Sequence, residues 1–281
     1  MTICNTAMES THNQPVTRPH WRECLPDLRE RLMETPRLLV ASDFDGTLSA
    51  LVEHPADAML CPGALPVLTK LAALHPRVRL AFLSGRQLTD LTERLPIDLT
   101  HAILAGNHGL ELDVGGELWN HPAIGDARGH LETMAISLQQ RLGHLAGFEI
   151  EDKGASLSLH YRRLAAEDRA GLRAIVEAYP LPDNLRLHEG KMVYELRPRV
   201  AWHKGFAMRR IVQELGLQDD AVIFLGDDVT DDDVFRELDD TATTVHVGSG
   251  EASSCARFNA NDPADAVEFL KTLAGQLGAG S

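Results

Sequence analysis

Two aspartates stand directly after an apolar run, in a position where their charges need a partner. The run LLVAS at residues 38–42 is followed by Asp43, Phe44, Asp45 and Gly46. Side chains alternate along an extended chain, so both carboxylates leave the predicted strand on the same side. At a separation of about 4 Å, two such charges repel by about 4 kcal/mol at an effective dielectric of about 20. A divalent cation would offset this repulsion, but an Asp-Gly turn with Asp43 as a cap explains the stretch alone equally well.

A second group of acids follows another apolar run and shifts the balance towards a metal site. In AVIFLGDDVTDDDVF, residues 221–235, Asp227 and Asp228 come directly after the predicted strand. We expect these two to be the better metal ligands, Asp227 above all. Three more acids lie further along: Asp231, Asp232 and Asp233. We assign them mainly to starting a helix, because Thr230 with Asp233 resembles a capping box and acids in a first turn complement the helix dipole.

Two further polar groups occupy corresponding places in the chain. Ser84, Gly85 and Arg86 follow a predicted strand, and Lys204 stands where a helix begins. Ligands of parallel sheets bind outside the carboxyl ends of the strands, where these groups could contact a phosphate oxygen. Taken singly, Ser84, Gly85 and Arg86 are better explained as a strand-to-helix turn. Lys204 alone is explained equally well as a solvated surface residue. In the company of the acids, both favour a phosphate site.

The composition limits the kinds of partner that the chain can have. It has 281 residues, of which 44% are hydrophobic and 24% charged, and a formal net charge of −14. Without a run rich in Lys and Arg, this charge argues against nucleic acid or an anionic membrane as a partner. The four cysteines are widely spaced and form no CxxC motif, which favours reduced thiols. With no signal-peptide pattern and no run near the roughly 20 apolar residues of a membrane span, we expect a cytoplasmic protein.

Short apolar runs alternate with helical patterns through most of the chain. The predicted strands are 38–42, 78–83, 102–105, 221–225 and 243–247. The predicted helices between and after them are 63–74, 87–95, 205–215, 231–238 and 263–273. Strands that alternate with helices favour a parallel sheet covered on both faces, so we predict a doubly wound α/β core.

The middle of the chain has a different pattern. Two units of one helix and two strands follow each other there: 126–144, 148–151 and 156–162, then 166–179, 185–188 and 192–197. We predict an α+β domain of αββαββ order at residues 117–199, inserted into a core formed by 36–116 and 200–276. Along its strands, apolar residues alternate with polar ones, which predicts one face under the helices and one polar face. We expect residues 1–35 to be loosely ordered.

The motifs together resemble those of a known superfamily. DFDGTL, SGR, Lys204 and GDDVTDDD are similar, in order and spacing, to the four motifs of the haloacid dehalogenase-like phosphatases. GNHG at 106–109, EDKG at 151–154, KMVYELRP at 191–198 and TDDDVF resemble more narrowly the trehalose-6-phosphate phosphatase family. The resemblance covers about residues 36–275. It implies a Mg²⁺-dependent phosphatase with trehalose 6-phosphate as substrate.

The resemblance also implies a role for each core residue. Asp43 would attack the phosphorus and form an aspartyl-phosphate, while Asp45 would protonate the leaving sugar oxygen and later activate water. Mg²⁺ and Lys204 would neutralise the charge of the phosphate. The other implied core residues are Thr47 and Ser84, which would steady the acid and the phosphoryl group. The implied metal ligands are Asp43, the Asp45 backbone carbonyl, Asp227 and waters, with Asp228 behind them.

The length of each connection indicates where a cap domain can lie. Thr47 and Ser84 are separated by 36 residues, too few for an inserted domain, whereas 94 residues separate Gly109 from Lys204. A cap in the second position resembles the sugar-phosphate phosphatases of the superfamily. The residues that we expect to bind substrate are Arg86, Asn107, His108, Gly109, Glu151, Lys153, Lys191 and Glu195.

Spacing along one cap strand bears on substrate recognition. Lys191 and Glu195 fall on one strand face about 13 Å apart, too far for a tight ion pair. We therefore expect each to be free to hold ligand hydroxyls, with Glu151 and Lys153 arranged similarly on the neighbouring hairpin. The partner would be a small-molecule sugar phosphate, and we take a monomer as the expected state. Two alternatives remain: a related substrate such as glucosylglycerol phosphate or sucrose phosphate, or an inactive domain that binds a sugar phosphate.

Overall fold

A large mixed sheet and a smaller antiparallel sheet organise the computed structural model, which describes residues 18–190, 192–249 and 254–278. The first part of the chain contains α1 (Leu25–Glu34), β1 (Leu38–Ser42), α2 (Ala64–Ala72), β2 (Val78–Leu83), α3 (Leu88–Glu93), β3 (Ile103–Gly106), β4 (Glu111–Val114) and β5 (Glu117–Asn120). The middle part contains α4 (Ala123–Leu142), β6 (Glu149–Asp152), β7 (Leu157–His160), α5 (Ala166–Glu177), β8 (Leu185–Gly190) and β9 (Val193–Pro198). The last part contains α6 (Lys204–Leu215), β10 (Val222–Gly226), α7 (Val229–Glu237), β11 (Thr243–Val247), β12 (Phe258–Ala260) and α8 (Pro263–Gly278).

The large sheet is built around β1. Its strand order is β12-β11-β10-β1-β2-β3-β4-β5, and the strands from β12 to β3 are parallel. All of β1 is buried, because α1, α2, α3 and α8 pack on one face of the sheet and α6 and α7 on the other. The predicted doubly wound α/β core is confirmed. No helix in the described ranges is long and apolar enough to cross a membrane.

The inserted domain has the predicted αββαββ order. Its strands form an antiparallel sheet of order β6-β7-β9-β8. Leu131 of α4 and Leu172 of α5 pack with Leu159 and Leu196 in the core of this domain. Because these strand residues alternate with Ser158 and others, the sheet buries an apolar face under the helices and turns a polar face towards the large sheet. We call the inserted domain the cap.

The hairpin formed by β4 and β5 differs from the sequence prediction. These strands pair with each other and with β3 in the large sheet, whereas the predicted insertion began at residue 117. Gly115 and Gly116 both have positive φ, at 66° and 94°. Such a glycine pair allows a two-residue turn between antiparallel strands. The core sheet therefore extends to Asn120, and the cap begins with α4.

The N-terminal segment also differs from the prediction. We expected residues 1–35 to be loosely ordered, but α1 is preceded by a 3-10 turn at Trp21–Cys24. Trp21, Leu28 and Leu32 are buried against the core, since apolar side chains at helical spacing share one face. The Trp21 indole also donates a hydrogen bond to Asp265 of α8 at 3.0 Å. Residues 1–17 lie outside the described part of the chain.

Aromatic side chains surround the two connections between core and cap. Trp119 lies on β5, His121 precedes α4, and Trp202 precedes α6. The Trp202 ring centroid is 5.5 Å from that of Trp119 and 5.1 Å from that of His121. The Trp202 indole donates to the Gly109 carbonyl at 2.9 Å. We call Trp119, His121 and Trp202 the hinge cluster, because they link both connections to the core.

Candidate active site

The carboxyl ends of β1, β2 and β10 open into a cleft beneath the polar face of the cap. This cleft encloses about 500 Å³. Residues that the sequence analysis singled out line it from both sides, among them Asp43, Asp45, Ser84, Glu151, Lys153 and Glu195. Core and cap residues therefore share one site.

Lys204 lies buried between two carboxylates at the base of the cleft. Its Nζ donates to Asp43 Oδ1 and to Asp231 Oδ1, each at 2.5 Å. Only 1% of the residue is exposed. Burial by itself would lower the pKa of Lys204, but the two carboxylates outweigh it and raise that pKa above its usual value. The lysine therefore remains charged at neutral pH.

Burial shifts the pKa values of the two carboxylates that contact Lys204. Burial raises the pKa of Asp43 well above its usual value, against the opposing effect of Lys204. Burial likewise raises the pKa of Asp231 to about 6. Two carboxylates share the one positive charge of Lys204. A further cation would favour their ionised forms, because a nearby opposite charge stabilises the charged state.

The donor set suits a hard divalent cation. Asp43, Asp227 and Asp231 each offer a carboxylate oxygen, and these atoms lie within 4.8 Å of one another. Oxygen ligands of this kind are those that Mg²⁺ prefers. Gly46 makes room for the arrangement, since a Cβ at that position would lie 2.2 Å from Asp227 Oδ2. The three acids could therefore hold Mg²⁺.

The roles that we predicted for Asp228 and Asp231 are exchanged in the structure. Asp228 is the N-cap of α7, and its side chain accepts from the Thr230 and Asp231 amides. Asp231 is the N3 residue of this capping box, so the predicted box of Thr230 with Asp233 is wrong. The side chain of Asp231 also reaches Lys204 and joins the acidic cluster, which does not include Asp228. The sequence analysis missed this second role because it placed the helix start too late.

Arg86 contacts the predicted general acid. Its Nε and Nη2 donate to the two carboxylate oxygens of Asp45, both at 2.6 Å. Its Nη1 donates to Asp90 at 2.6 Å. We expected Arg86 to bind phosphate, whereas the structure shows its planar guanidinium paired with Asp45. The spacing of four residues could have indicated the pair with Asp90, but it gives no indication of the pair with Asp45.

The two predicted hydroxyl residues are buried at the same edge of the sheet. Thr47 is fully buried, and its Oγ1 lies 3.5 Å from Asp227 Oδ1. Ser84 is 1% exposed, and its Oγ accepts from the Arg86 amide at 3.1 Å. Both hydroxyls thus touch residues of the site.

On the cap side, Glu195 is surrounded by polar partners. Lys153 Nζ lies 3.4 Å from its Oε1, Ser158 Oγ donates to it at 3.2 Å, and Arg197 donates to Oε2. Burial by itself would raise the pKa of Glu195. The neighbouring His108 ring and the charges of Lys153 and Arg197 outweigh it and hold that pKa well below its usual value. Glu195 is therefore already paired, contrary to our expectation that it would be free.

The rest of the predicted cap set is only partly described. Glu151 Oε2 contacts the His160 ring at 2.8 Å and Lys153 Nζ at 3.8 Å. Lys191 lies outside the described residues, so its predicted role stays a prediction. Arg197 and His160 were absent from our predicted set, although strand alternation places Arg197 on the same face as Glu195.

The segment Asn107–Gly109 turns through three left-handed residues. The φ angles of Asn107, His108 and Gly109 are 48°, 56° and 86°. Left-handed backbone is uncommon outside glycine, and its clusters often mark functional sites. His108 Nε2 accepts from Arg197 at 2.7 Å, and burial together with that cation lowers the pKa of His108 to about 4. A neutral imidazole therefore faces the cap arginine.

Comparison with known proteins supports a family assignment. The chain is 38% identical over 266 residues to a trehalose-phosphate phosphatase of Mycobacterium marinum, an alignment that covers 90% of the chain and 67% of that relative. The chain thus spans about two thirds of the relative's length.

Solved structures share the fold. The C-terminal domain of a C. albicans trehalose-6-phosphate phosphatase superposes with a TM-score of 0.75 at 24% identity, covering 92% of this chain and 98% of that one. A haloacid dehalogenase-like hydrolase from Bacteroides thetaiotaomicron superposes with a TM-score of 0.60 at 14% identity, covering 84% and 99%. The sequence profile described as Trehalose-phosphatase matches residues 41–264. With the predicted resemblance thus confirmed, the chain belongs to the trehalose-phosphatase family.

Proposed function

We propose that this protein is a Mg²⁺-dependent phosphatase that hydrolyses trehalose 6-phosphate to trehalose and phosphate. The observation that carries the proposal is the buried pair of Asp43 and Lys204 beside Asp227 and Asp231, directly beneath the charged face of the cap. The similarity to the trehalose-phosphate phosphatase of M. marinum supports the choice of substrate.

In the first step, an Asp43 oxygen attacks the phosphorus. The bond between Asp43 and phosphorus forms while the bond from phosphorus to the sugar oxygen breaks, which leaves an aspartyl-phosphate and an alcohol. Lys204, held 2.5 Å from Asp43 Oδ1, places a positive charge beside the attacking anion. Asp43, Asp227 and Asp231 would hold the Mg²⁺, which would neutralise negative charge on the phosphoryl group.

Asp45 would give its proton to the leaving sugar oxygen. Both of its carboxylate oxygens accept from Arg86 in this structure, so proton delivery requires the side chain to turn away from the arginine and first to take up a proton from solvent. In the second step, Asp45 takes a proton from water while the water oxygen attacks phosphorus. The bond between phosphorus and Asp43 then breaks, and both aspartates return to their starting states.

The cap would supply the contacts to the sugar. Glu195, Lys153 and Glu151 form a charged surface on the cleft wall, and hydrogen bonds between ionised groups and hydroxyls are stronger than those between neutral groups. Since these residues also pair with one another, a sugar would have to match an existing arrangement. This favours one substrate shape over others.

The remaining expectations belong to the same proposal. The partner would be a small-molecule sugar phosphate, with no nucleic acid or membrane involved, and the enzyme would act in the cytoplasm as a monomer. The formal net charge of −14 supports the expectation that neither nucleic acid nor an anionic membrane is a partner, because it disfavours binding to polyanions.

Phosphate release from a panel of sugar phosphates tests the proposal. We expect turnover of trehalose 6-phosphate in the presence of Mg²⁺, its loss on chelation, and much lower kcat/KM for sucrose phosphate and glucosylglycerol phosphate. Asp43→Asn serves as the inactive control. A higher kcat/KM for another member of the panel would reassign the substrate, and binding of trehalose 6-phosphate without phosphate release would indicate a sensor domain.

A further inference from the structure

Asn107 uses its side chain to join the core to the cap. Its Nδ2 donates to the Lys153 carbonyl at 3.1 Å and to Glu111 Oε2 at 2.6 Å. Its Oδ1 accepts from Ser156 Oγ at 2.7 Å. Lys153 and Ser156 belong to the cap, whereas Glu111 belongs to β4 of the core. Both amide protons of this buried side chain are thus committed to protein groups, which argues against the predicted role in binding substrate.

The backbone of Asn107 is fixed by the core. Its amide donates to the Arg86 carbonyl at 2.7 Å, and the next amide, of His108, donates to the Ser84 carbonyl at 2.9 Å. These two bonds tie the left-handed turn to the end of β2. Asparagine tolerates the left-handed region better than most residues with a Cβ. The turn is therefore a fixed support from which the Asn107 amide reaches across to the cap.

The segment that Asn107 contacts is the β6–β7 turn. This turn is closed internally, since the Lys153 amide donates to the Ser156 carbonyl at 2.9 Å. Arg128 of α4 supports it from within the cap through paired bonds to Asp152 at 2.6 and 2.8 Å. The turn thus meets the core as a preformed unit. Its Lys153 side chain continues into the cleft and donates to the Gly85 carbonyl at 3.2 Å.

We propose that Asn107 is a positioning residue that latches the β6–β7 turn of the cap onto the core. By fixing Ser156 and the backbone of Lys153, it holds the Lys153 ammonium beside Glu195 and above the phosphate site. The consequence for substrate rests on the proposed function, whereas the docking of the cap does not. Asn107 acts through Lys153 and needs no contact with the sugar.

The side-chain contact of Asn107 should stabilise the docked position of the cap relative to an undocked one. Without the Asn107 amide, a docked cap would leave the Ser156 hydroxyl and the Lys153 carbonyl without their partner, and unpaired buried polar groups are costly. We expect the docked population to fall by about tenfold relative to the undocked one, the effect of losing one or two such bonds. A phosphate ester too small to reach the cap would be processed as before.

Two variants test the side-chain contact of Asn107 separately from the left-handed backbone of residues 107–109. Asn107→Gly removes the amide while keeping the left-handed conformation, which glycine adopts readily. Ser156→Ala removes the partner on the cap and leaves the core turn intact, so it tests the same contact if Asn107→Gly does not fold. Ser158→Ala is the matched control, since its hydroxyl bonds to Glu195 within the cap.

Hydrogen exchange on the ligand-free protein provides the first measurement. Among residues 152–157, we expect the amides that only docking shields from solvent to exchange about tenfold faster in Asn107→Gly and Ser156→Ala than in the wild type, and at the wild-type rate in Ser158→Ala. The second measurement is kcat/KM. It should fall by up to about tenfold for trehalose 6-phosphate in the two latch variants, in proportion to the loss of docked cap, and stay within about twofold for an aryl phosphate.

The outcomes are distinguishable from a failure of the proposed function. If the wild type does not hydrolyse trehalose 6-phosphate, the proposed function is wrong, and hydrogen exchange still decides whether the latch exists. Unchanged exchange in both latch variants would overturn the latch whatever the substrate. Faster exchange with equal kcat/KM losses for both substrates would overturn the positioning role.

Discussion

Two buried groups of charges face each other across the cleft, and the pKa values of their carboxylates are shifted in opposite directions. In the core, Lys204 lies between Asp43 and Asp231, and burial raises the pKa of both acids. In the cap, Glu195 lies between Lys153 and Arg197, and its pKa is held well below the usual value. The core group therefore has an excess of negative charge that a metal could balance. The cap group contains its own cations and needs none.

This difference separates the chemical from the selective part of the site. An excess of negative charge near a phosphoryl group is useful only with a cation, so the core group should depend on Mg²⁺. A balanced group of charges offers donors and acceptors without demanding an ion, which suits hydroxyls. Damage to the core should therefore abolish turnover, whereas damage to the cap should change which substrates are used.

The largest effect is expected from Asp43→Asn. The substitution preserves shape but removes the attacking charge, so turnover should fall by several orders of magnitude for every substrate, large or small. Steady-state phosphate release with trehalose 6-phosphate and an aryl phosphate measures this. The melting temperature provides the control for folding. Turnover near that of the wild type would remove Asp43 from the mechanism.

The next effect concerns the metal and the exchanged roles of two acids. Asp227→Ala and Asp231→Asn should weaken Mg²⁺ binding strongly, because each removes a member of the acidic cluster. Asp228→Ala should instead cost about 1 kcal/mol of stability by removing the N-cap of α7. Calorimetric titration of Mg²⁺ into each variant, with thermal unfolding alongside, measures both quantities. A matching loss of affinity in Asp228→Ala would return that residue to the metal site.

A smaller and selective effect is expected in the cap. Glu195→Ala and Lys153→Ala should reduce kcat/KM for trehalose 6-phosphate by about ten- to a thousandfold, since buried polar partners would be left unpaired. An aryl phosphate should be much less affected because it does not reach the cap. Both substrates should be measured on both variants. Equal losses on the two substrates would show that these residues support folding or closure instead of recognition.

The smallest effect is the pH dependence of stability in the metal-free protein. Because the pKa of Asp231 is raised to about 6 from a usual value of 3.8, the folded state keeps a proton that the unfolded state loses at lower pH. This carboxyl therefore stabilises the fold most at acidic pH, and that contribution is lost as the pH rises through about 6. Melting temperatures between about pH 4 and 7 should show this decline in the wild type, followed by a plateau above about pH 6.

Asp231→Asn provides the comparison, since it cannot titrate and should flatten the decline. Added Mg²⁺ should flatten it as well, by favouring the ionised carboxylates. An identical pH profile in the variant and the wild type would assign the decline to other groups.

The core of the site could be predicted because sheet topology places it. Strands 38–42, 78–83 and 243–247 have the predicted bounds, and carboxyl ends of neighbouring parallel strands share one edge. Residues that directly follow such strands therefore lie close together in the fold, even when they are far apart in the sequence. Asp43, Ser84 and Asp227 were found in this way.

Partners outside this rule could not be predicted. Arg86 pairs with Asp45 across 41 residues, and nothing in its local pattern distinguishes that carboxylate from a phosphate. The roles of Asp228 and Asp231 depend on which residue begins α7, and helix boundaries are the least certain part of a sequence prediction. The cap contacts of Asn107 require the docked position of a separate domain. The N-terminal helix is short, and its buried side chains Leu28 and Leu32 are recognisable as a core face only from their packing against the folded sheet.

The hinge cluster gives the protein an optical reporter of its own. The chain has three tryptophans, and the ring centroids of two of them, Trp119 and Trp202, lie 5.5 Å apart beside the two connections between core and cap. The third, Trp21, packs against Phe269 on the opposite face of the sheet. Rotation of the cap would change the surroundings of the first two while leaving the third as it is. Ultraviolet emission of the unlabelled protein should therefore follow cap movement, and a Trp21→Phe variant would isolate the signal.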